Sequence, residues 1–299
     1  MNLIQSFSHP TSETSCFIKV DNGQMIYERR FIEAKFTRPQ HYAQMQEQFE
    51  LCREKLKHPN IINFHKITKE NGATVLTREY VNGENFNFYI SLGNLPYESL
   101  MASAKTITEI VKFIHSKGII IRSLIPSNII VDINGSIHFV DIGYDSIFVD
   151  DFQQTKKNVH LLFSSPEAIN NDHQPSFEKD IWCLGVTLYM IITGNYPWPI
   201  KNTIKLMQLL MKGEVDFPQG IEPELASLLR QMLSVDPKKR PTAAEVHKRL
   251  KRLTQFGQHQ RITSEIILSN PDLPKIIAAA QNGIKAKQGV TPNQLKVKS

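Results

Sequence analysis

Ile121-Arg122-Ser123-Leu124-Ile125-Pro126-Ser127-Asn128 is the stretch that decides how this chain folds. It holds an arginine, a proline and an asparagine at set spacing, with a serine directly after the arginine. Other short patterns flank it in order: Ala34-Lys35, His58-Pro59-Asn60-Ile61-Ile62, Asp141-Ile142-Gly143, Ser165-Pro166-Glu167, Asp180-Ile181-Trp182 with Gly185, and Asp236-Pro237-Lys238-Lys239-Arg240-Pro241. Any one alone reads as a turn, because Asn, Asp, Gly and Pro bend or satisfy loop backbone wherever they occur. The signal is their joint order.

Around these patterns the chain changes character once. The first 80 residues carry short apolar runs, Cys16-Phe17-Ile18, Gln24 to Tyr27, Arg30 to Phe36, Ile61 to Phe64 and Ala73 to Leu76. Punctuated by Asn22-Gly23 and Asn71-Gly72, they predict antiparallel strands and hairpins. One helix interrupts them, because Met45, Phe49, Cys52 and Leu56 recur at helical spacing over 41–57 and Pro59 stops it. Beyond Gly83 helices dominate, with 99–116, 225–233 and 243–253 the clearest. The expected class is α+β and bilobal: a small sheet lobe with one main helix over 10–82, a larger helical lobe over 83–253, and a basic, flexible tail over 254–299.

Composition narrows the function. With 299 residues, 41% hydrophobic and 21% charged, the chain has a globular composition and can bury one large core or two lobes. Residues 1–10 have neither the basic start nor the apolar run of a secretory signal. Cys16, Cys52 and Cys183 are odd in number and far apart, so neither a disulfide framework nor a zinc site is expected. Both features suit an intracellular, cytoplasmic protein. Residues 181–200 are uncharged, yet Gly194, Asn195, Pro197 and Pro199 break them, which predicts a buried core helix and no transmembrane segment. The net charge of +6 hints at nucleic acid until it is divided along the chain. Arg261, Lys275, Lys285, Lys287, Lys296 and Lys298 outnumber Glu265 and Asp272 in the tail, so the globular part is nearly neutral and no specific nucleic-acid partner is expected.

The ordered series resembles the eukaryotic protein kinase domain of serine/threonine type, over roughly residues 10–253. There the central loop reads His-Arg-Asp-Leu-Lys-Pro-x-Asn. The resemblance implies ATP and magnesium as cofactors. Lys35 would contact the inner phosphates, Asn128 and Asp141 would hold the metal, and Glu79 and Val81 of the hinge Glu79-Tyr80-Val81 would meet the nucleotide. It also implies architectural roles: Glu167 with Arg240 as a buried ion pair, and Asp180 at a helix start as the brace of the loop backbone. Ile121 replaces the loop histidine and Ile142 the phenylalanine of Asp-Phe-Gly, so the apolar column joining the lobes stays apolar.

The departures bear on chemistry. Ser123 stands at the family's base aspartate, and a hydroxyl that is un-ionised at neutral pH can hydrogen-bond but cannot act as base. Ile125 removes the neighbouring lysine that would neutralise the phosphoryl group. Counting back from Lys35 puts Glu13, Ser15 and Ile18 where the phosphate loop needs glycines. Glu33, two before Lys35, and Arg78, just before the hinge, are expected to pair across the sheet and block the adenine pocket; a one-residue slip that turns Ala34 inward is the competing register. The helix glutamate that would pair with Lys35 falls at Phe49, with Glu47 and Glu50 on either side. Thr155, beside Lys156 and Lys157, is a phosphoacceptor candidate within reach of Arg122, or simply part of a surface loop. The resulting expectation is a pseudokinase that regulates or scaffolds protein partners, with phosphotransfer lost or vestigial. The alternatives are a weak or unconventional ATP-dependent serine/threonine kinase, since phosphoryl transfer rests mostly on positioning, and a nucleotide-sensing switch without catalysis.

Overall fold

The structure, a computed structural model, describes residues 2–8, 15–32, 41–93, 95–144, 161–170, 172, 174–199 and 202–256. Glu13, Glu33, Lys35, Thr155 and the tail beyond residue 256 lie outside the described residues. Strands β1 (Asn2–Ser8), β2 (Ser15–Asp21) and β3 (Gln24–Ile32), helix α1 (His41–Lys55), and strands β4 (Phe64–Glu70) and β5 (Ala73–Glu79) form the first part. The strands make one antiparallel sheet in the order β1-β2-β3-β5-β4.

Two turns set its register. Asn22-Gly23 has φ of 49° and 81° and Asn71-Gly72 has 51° and 72°, the left-handed pair that lets a two-residue hairpin follow the strand twist. From the first turn Asp21 faces Gln24, and alternation then puts Tyr27, Arg29 and Phe31 on one face of β3. All three are buried. Glu28, on the other face, is held by Lys19 and Arg30. Helix α1 lays Met45 and Phe49 into the same apolar cluster as Phe31, Ile62, Phe64 and Leu76.

Past β5 a second sheet, β6 (Gly83–Asn85), β7 (Ile129–Asp132) and β8 (Ile137–Phe139), leads into the helical part. Its helices are α2 (Phe86–Leu92), α3 (Tyr97–Ser116), α4 (Pro166–Ile169), α5 (Phe177–Thr193), α6 (Thr203–Lys212), α7 (Pro223–Met232) and α8 (Ala243–Phe256). Helix α5 is buried from Asp180 through Ile192 and stops at Gly194, whose φ of 70° places its N–H on the Met190 carbonyl. Its uncharged run is therefore core, and among the described residues no helix is long and apolar enough to cross a membrane. One cluster carries Cys52 and Leu56, at the end of α1, into the helical core with Ile121 and Ile142. Apolar packing thus joins the lobes through both isoleucines.

One ion pair clamps the helical lobe. Arg240 donates to Glu167 through Nη1 and Nη2 at 2.6 and 2.7 Å, and also to the carbonyls of Glu178 and Ser234, both at 2.9 Å. Its guanidinium lies 5.1 Å from the centre of a Trp182 ring. Burial alone would raise the Glu167 carboxyl, but the hydrogen bonds and charge of Arg240 outweigh it and hold the group below its ordinary value of 4.5. Stability from this pair is complete above that value and lost as pH falls through the lowered folded one. Arg240→Ala leaves a partly buried carboxylate unpaired and is expected to lower the unfolding free energy by about 3–5 kcal/mol, read from urea midpoints. The variant should also lose part of the acid-induced fall in stability below pH 4.5 that the parent shows.

Candidate active-site cleft

The loop 121–128 is shaped from beneath by α5. Asp180, in its first turn, accepts the N–H groups of Ile121 and Arg122 at 2.7 and 2.8 Å, and His115 Nε2 lies 2.9 Å from the same carboxylate. These bonds hold Arg122 at φ 63°, a left-handed conformation unfavourable for a residue with a side chain. Thr187 and Cys183, further along α5, donate to the Leu124 carbonyl at 2.7 and 3.0 Å. Asn128 closes the loop on itself, its Nδ2 donating to the Ser123 carbonyl at 3.0 Å.

Ser123 and Asp141 meet above this support. The Ser123 hydroxyl donates to Asp141 Oδ1 at 3.0 Å and accepts the Gly143 N–H at 3.3 Å. The Tyr144 N–H reaches the same Oδ1 at 3.0 Å. Gly143 has φ 86°, and a Cβ there would come 3.1 Å from the Gln48 amide, so the turn requires glycine for its angle and its closeness. Arg29 Nη1 lies 3.2 Å from Asp141 Oδ2, in an ion pair buried on both sides. Both carboxylate oxygens are thus held by protein donors.

The strand residues over the cleft differ from those expected. β3 pairs with β5 so that Tyr27 faces Arg78 and Arg29 faces Leu76. Tyr27 is therefore a cross-strand partner of Arg78, and Arg29 is a strand cation beside Asp141; the expected pairing of Glu33 with Arg78 lies outside the described residues. The Arg78 guanidinium sits 3.8 Å from the centre of the Tyr27 ring and donates to the Glu79 carbonyl at 3.1 Å. A cation over an aromatic face is favourable, the more so where water is excluded. Burial raises the Tyr27 phenol and lowers the Arg78 guanidinium from their ordinary values. The Tyr27 hydroxyl ends on Cys16 Sγ at 2.8 Å.

Helix α1 brings no carboxylate inward. Gln48 occupies its buried face and donates to the Ile142 carbonyl at 3.0 Å, while Glu47 and Glu50 are exposed and Glu50 pairs with Arg53. Position 48 shares the stripe of Met45 and Cys52, so a polar residue in an apolar stripe was the available sign. The hinge residues lie where the chain leaves β5: Glu79 accepts from Asn63 Nδ2 at 2.8 Å, the Tyr80 N–H meets the Met25 carbonyl at 3.3 Å, and Val81 is buried.

The cavity left between these groups measures about 20 Å3, bounded by Tyr27, Arg29, Leu76, Arg78, Asn128 and Asp141 among others. A water needs roughly 10–15 Å3, so the space enclosed by these side chains suits a water. A divalent ion at Asp141 would face the Arg29 guanidinium, a repulsion of about 8 kcal/mol at 4 Å and an effective dielectric of 20. Among the described residues, the Asp141 carboxylate oxygens that would face a metal are engaged by Arg29, Ser123 and the Tyr144 N–H.

Comparison with known proteins gives the lineage. The pattern described as "Protein kinase domain" matches residues 15–250. The chain is 31% identical over 192 residues to the probable serine/threonine-protein kinase MARK-A of Dictyostelium discoideum, covering 64% of this chain and 18% of that one. It is 30% identical over 191 residues to CBL-interacting protein kinase 21 of Oryza sativa subsp. japonica, covering 61% and 35%, and 29% identical over 190 residues to Sperm motility kinase 3A of Mus musculus, covering 63% and 38%. The chain spans less than half the length of each of these relatives. A matched span that takes in the antiparallel sheet, the braced loop and the helical lobe leaves one conclusion: the chain belongs to the protein kinase family.

Proposed function

We propose that this protein is a pseudokinase: a kinase-family fold that regulates or scaffolds protein partners, with phosphotransfer lost. The observation that carries the reading is the buried cluster of Ser123, Asp141 and Arg29. The group at the base position is a hydroxyl, un-ionised at neutral pH and directed at Asp141, and is too weak a base to take a proton from a substrate hydroxyl. The carboxylate that would hold magnesium is neutralised by an arginine. The Tyr27–Arg78 pair supports the same reading from the adenine side, where it takes the blocking role expected of Glu33 with Arg78. Ile125 in place of the loop lysine removes a further electrostatic contribution.

The relatives are named as kinases, so transfer must be measured directly. With labelled ATP, magnesium and a general protein substrate, incorporation by the parent is expected to equal that of Asp141→Ala. Incorporation that disappears with Asp141 would establish the weak-kinase alternative and defeat the proposal.

Nucleotide binding has its own readout. ATP with magnesium is expected to leave the parent's melting temperature unchanged, because a ligand stabilises only what it binds. Tyr27→Ala combined with Arg78→Met clears the two side chains that meet over the cleft, and adenosine is expected to raise the melting temperature of that variant alone. A shift in the parent would support the nucleotide-sensing alternative instead. Ser123→Asp sets a second carboxylate against Asp141 in a buried site, so it is expected to lower stability by about 1–3 kcal/mol without restoring transfer.

A further inference from the structure

A groove of about 420 Å3 runs between the end of α6, the second half of α7 and the loop reaching Lys239. That volume lies within the roughly 300–1,000 Å3 usual for ligand sites. Lys212, Arg230 and Lys239 line it, and no carboxylate does. Among the described residues none of the three belongs to an ion pair, whereas Arg29 in the cleft and Arg240 in the Glu167 clamp each do.

Contacts around the groove constrain two of its side chains. Arg230 lies over the Phe217 ring at 4.6 Å, which limits how its guanidinium can turn. Gln231, on the wall, accepts from Arg249 Nη1 at 2.6 Å. Arginine can only donate, so the amide oxygen must face Arg249, and Gln231 has only its NH2 donors left to offer. The ends of α6 and α7 oppose an anion here, since each helix C-terminus carries about half a negative charge. The Gly213 N–H meets the carbonyls of Leu209 and Leu210 at 3.1 and 3.2 Å, and the Leu233 N–H meets that of Leu229 at 3.0 Å. Lys212, Arg230 and Lys239 set three full positive charges on the groove wall against these two partial ones. Val235, 37% exposed on the same wall, adds an apolar contact.

We propose that this groove docks a short acidic segment of a protein partner, with carboxylates against Lys212, Arg230 and Lys239 and an apolar side chain against Val235. The proposal rests on the reading that the chain works through protein partners, and it gives that partner a chemistry and a place. A peptide fits better than a nucleic acid, because the groove is short, has an aliphatic contact and lacks an aromatic platform on which bases could stack.

The test uses the full chain without nucleotide. A random peptide library is selected on the parent, and the enriched peptides are measured by fluorescence anisotropy. They are expected to carry Asp or Glu beside an apolar residue and to weaken as salt is raised. Affinity should fall at least about tenfold in Lys212→Glu/Arg230→Glu/Lys239→Glu, a fewfold in Lys239→Glu alone, and not at all in Lys248→Glu/Arg252→Glu on α8. All five residues are exposed, and an unchanged urea midpoint verifies the fold of each variant. The proposal is overturned if no peptide is enriched, if the enriched peptides are not acidic, or if the triple variant binds them as tightly. It also fails if labelled oligothymidine binds the same three cations more tightly than the peptides do. Because no ATP is present, failure here is separate from failure of the phosphotransfer reading.

Discussion

The carboxylate of Asp141 is a buried charge at the junction of the two lobes, and whatever neutralises it decides what the cleft can do. A lone carboxylate in that position would be costly, since desolvation is offset only by a counter-charge or several hydrogen bonds. This chain supplies both internally: Arg29 from the sheet, Ser123 from the loop, and the Tyr144 N–H from the following turn. The ion pair and the serine bond tie strand, loop and turn to one group. The same contacts occupy the oxygens through which a metal would bind.

The contacts that hold the fold and those that face the cleft are distinct sets. Asp180 still braces the loop backbone, Arg240 still forks onto Glu167, and Ile121 and Ile142 still sit in the apolar cluster that reaches Cys52 and Leu56. None of those contacts requires a nucleotide. The groups facing the cleft are Gln48 on the inner face of α1, the Tyr27–Arg78 stack and Ser123 beside Asp141. With Gln48 uncharged, α1 presents no carboxylate to Arg29, which turns to Asp141. With Arg29 there, a short neutral donor at position 123 completes the carboxylate's partners.

Parts of this were legible because they depend on local order. Asn22-Gly23 and Asn71-Gly72 announced hairpins, the spacing of Met45, Phe49 and Cys52 announced α1, and the break after Gly194 marked the long apolar run as a core helix. Glu167, Asp180 and Arg240 were picked out by motifs whose residues lie close in sequence, and each falls at a helix start or a turn where such motifs form. The strand cation was not legible in the same way. Residues 29 and 35 differ by an even number, as do 27 and 33, so two-residue alternation assigns each pair to one face. The dipeptide Ala34-Lys35 carried the family's pattern in sequence, while the placing of Arg29 beside Asp141 depends on the register of β3 against β5.

Sequence alone determined the two lobes, the hairpin turns, the serine at position 123 and the charge at Arg78, because those are properties of residue type and short-range spacing, while strand β1 and the single long β3 were not read from it. Tertiary structure decided that Arg29 neutralises Asp141, that Tyr27 carries Arg78, that Gln48 on the inner face of α1 reaches the Ile142 carbonyl, and that three distant cations share one groove. The physical reason is sequence separation. Arg29 and Asp141 are 112 residues apart, and nothing local in either segment specifies a contact made only when sheet and loop close over each other.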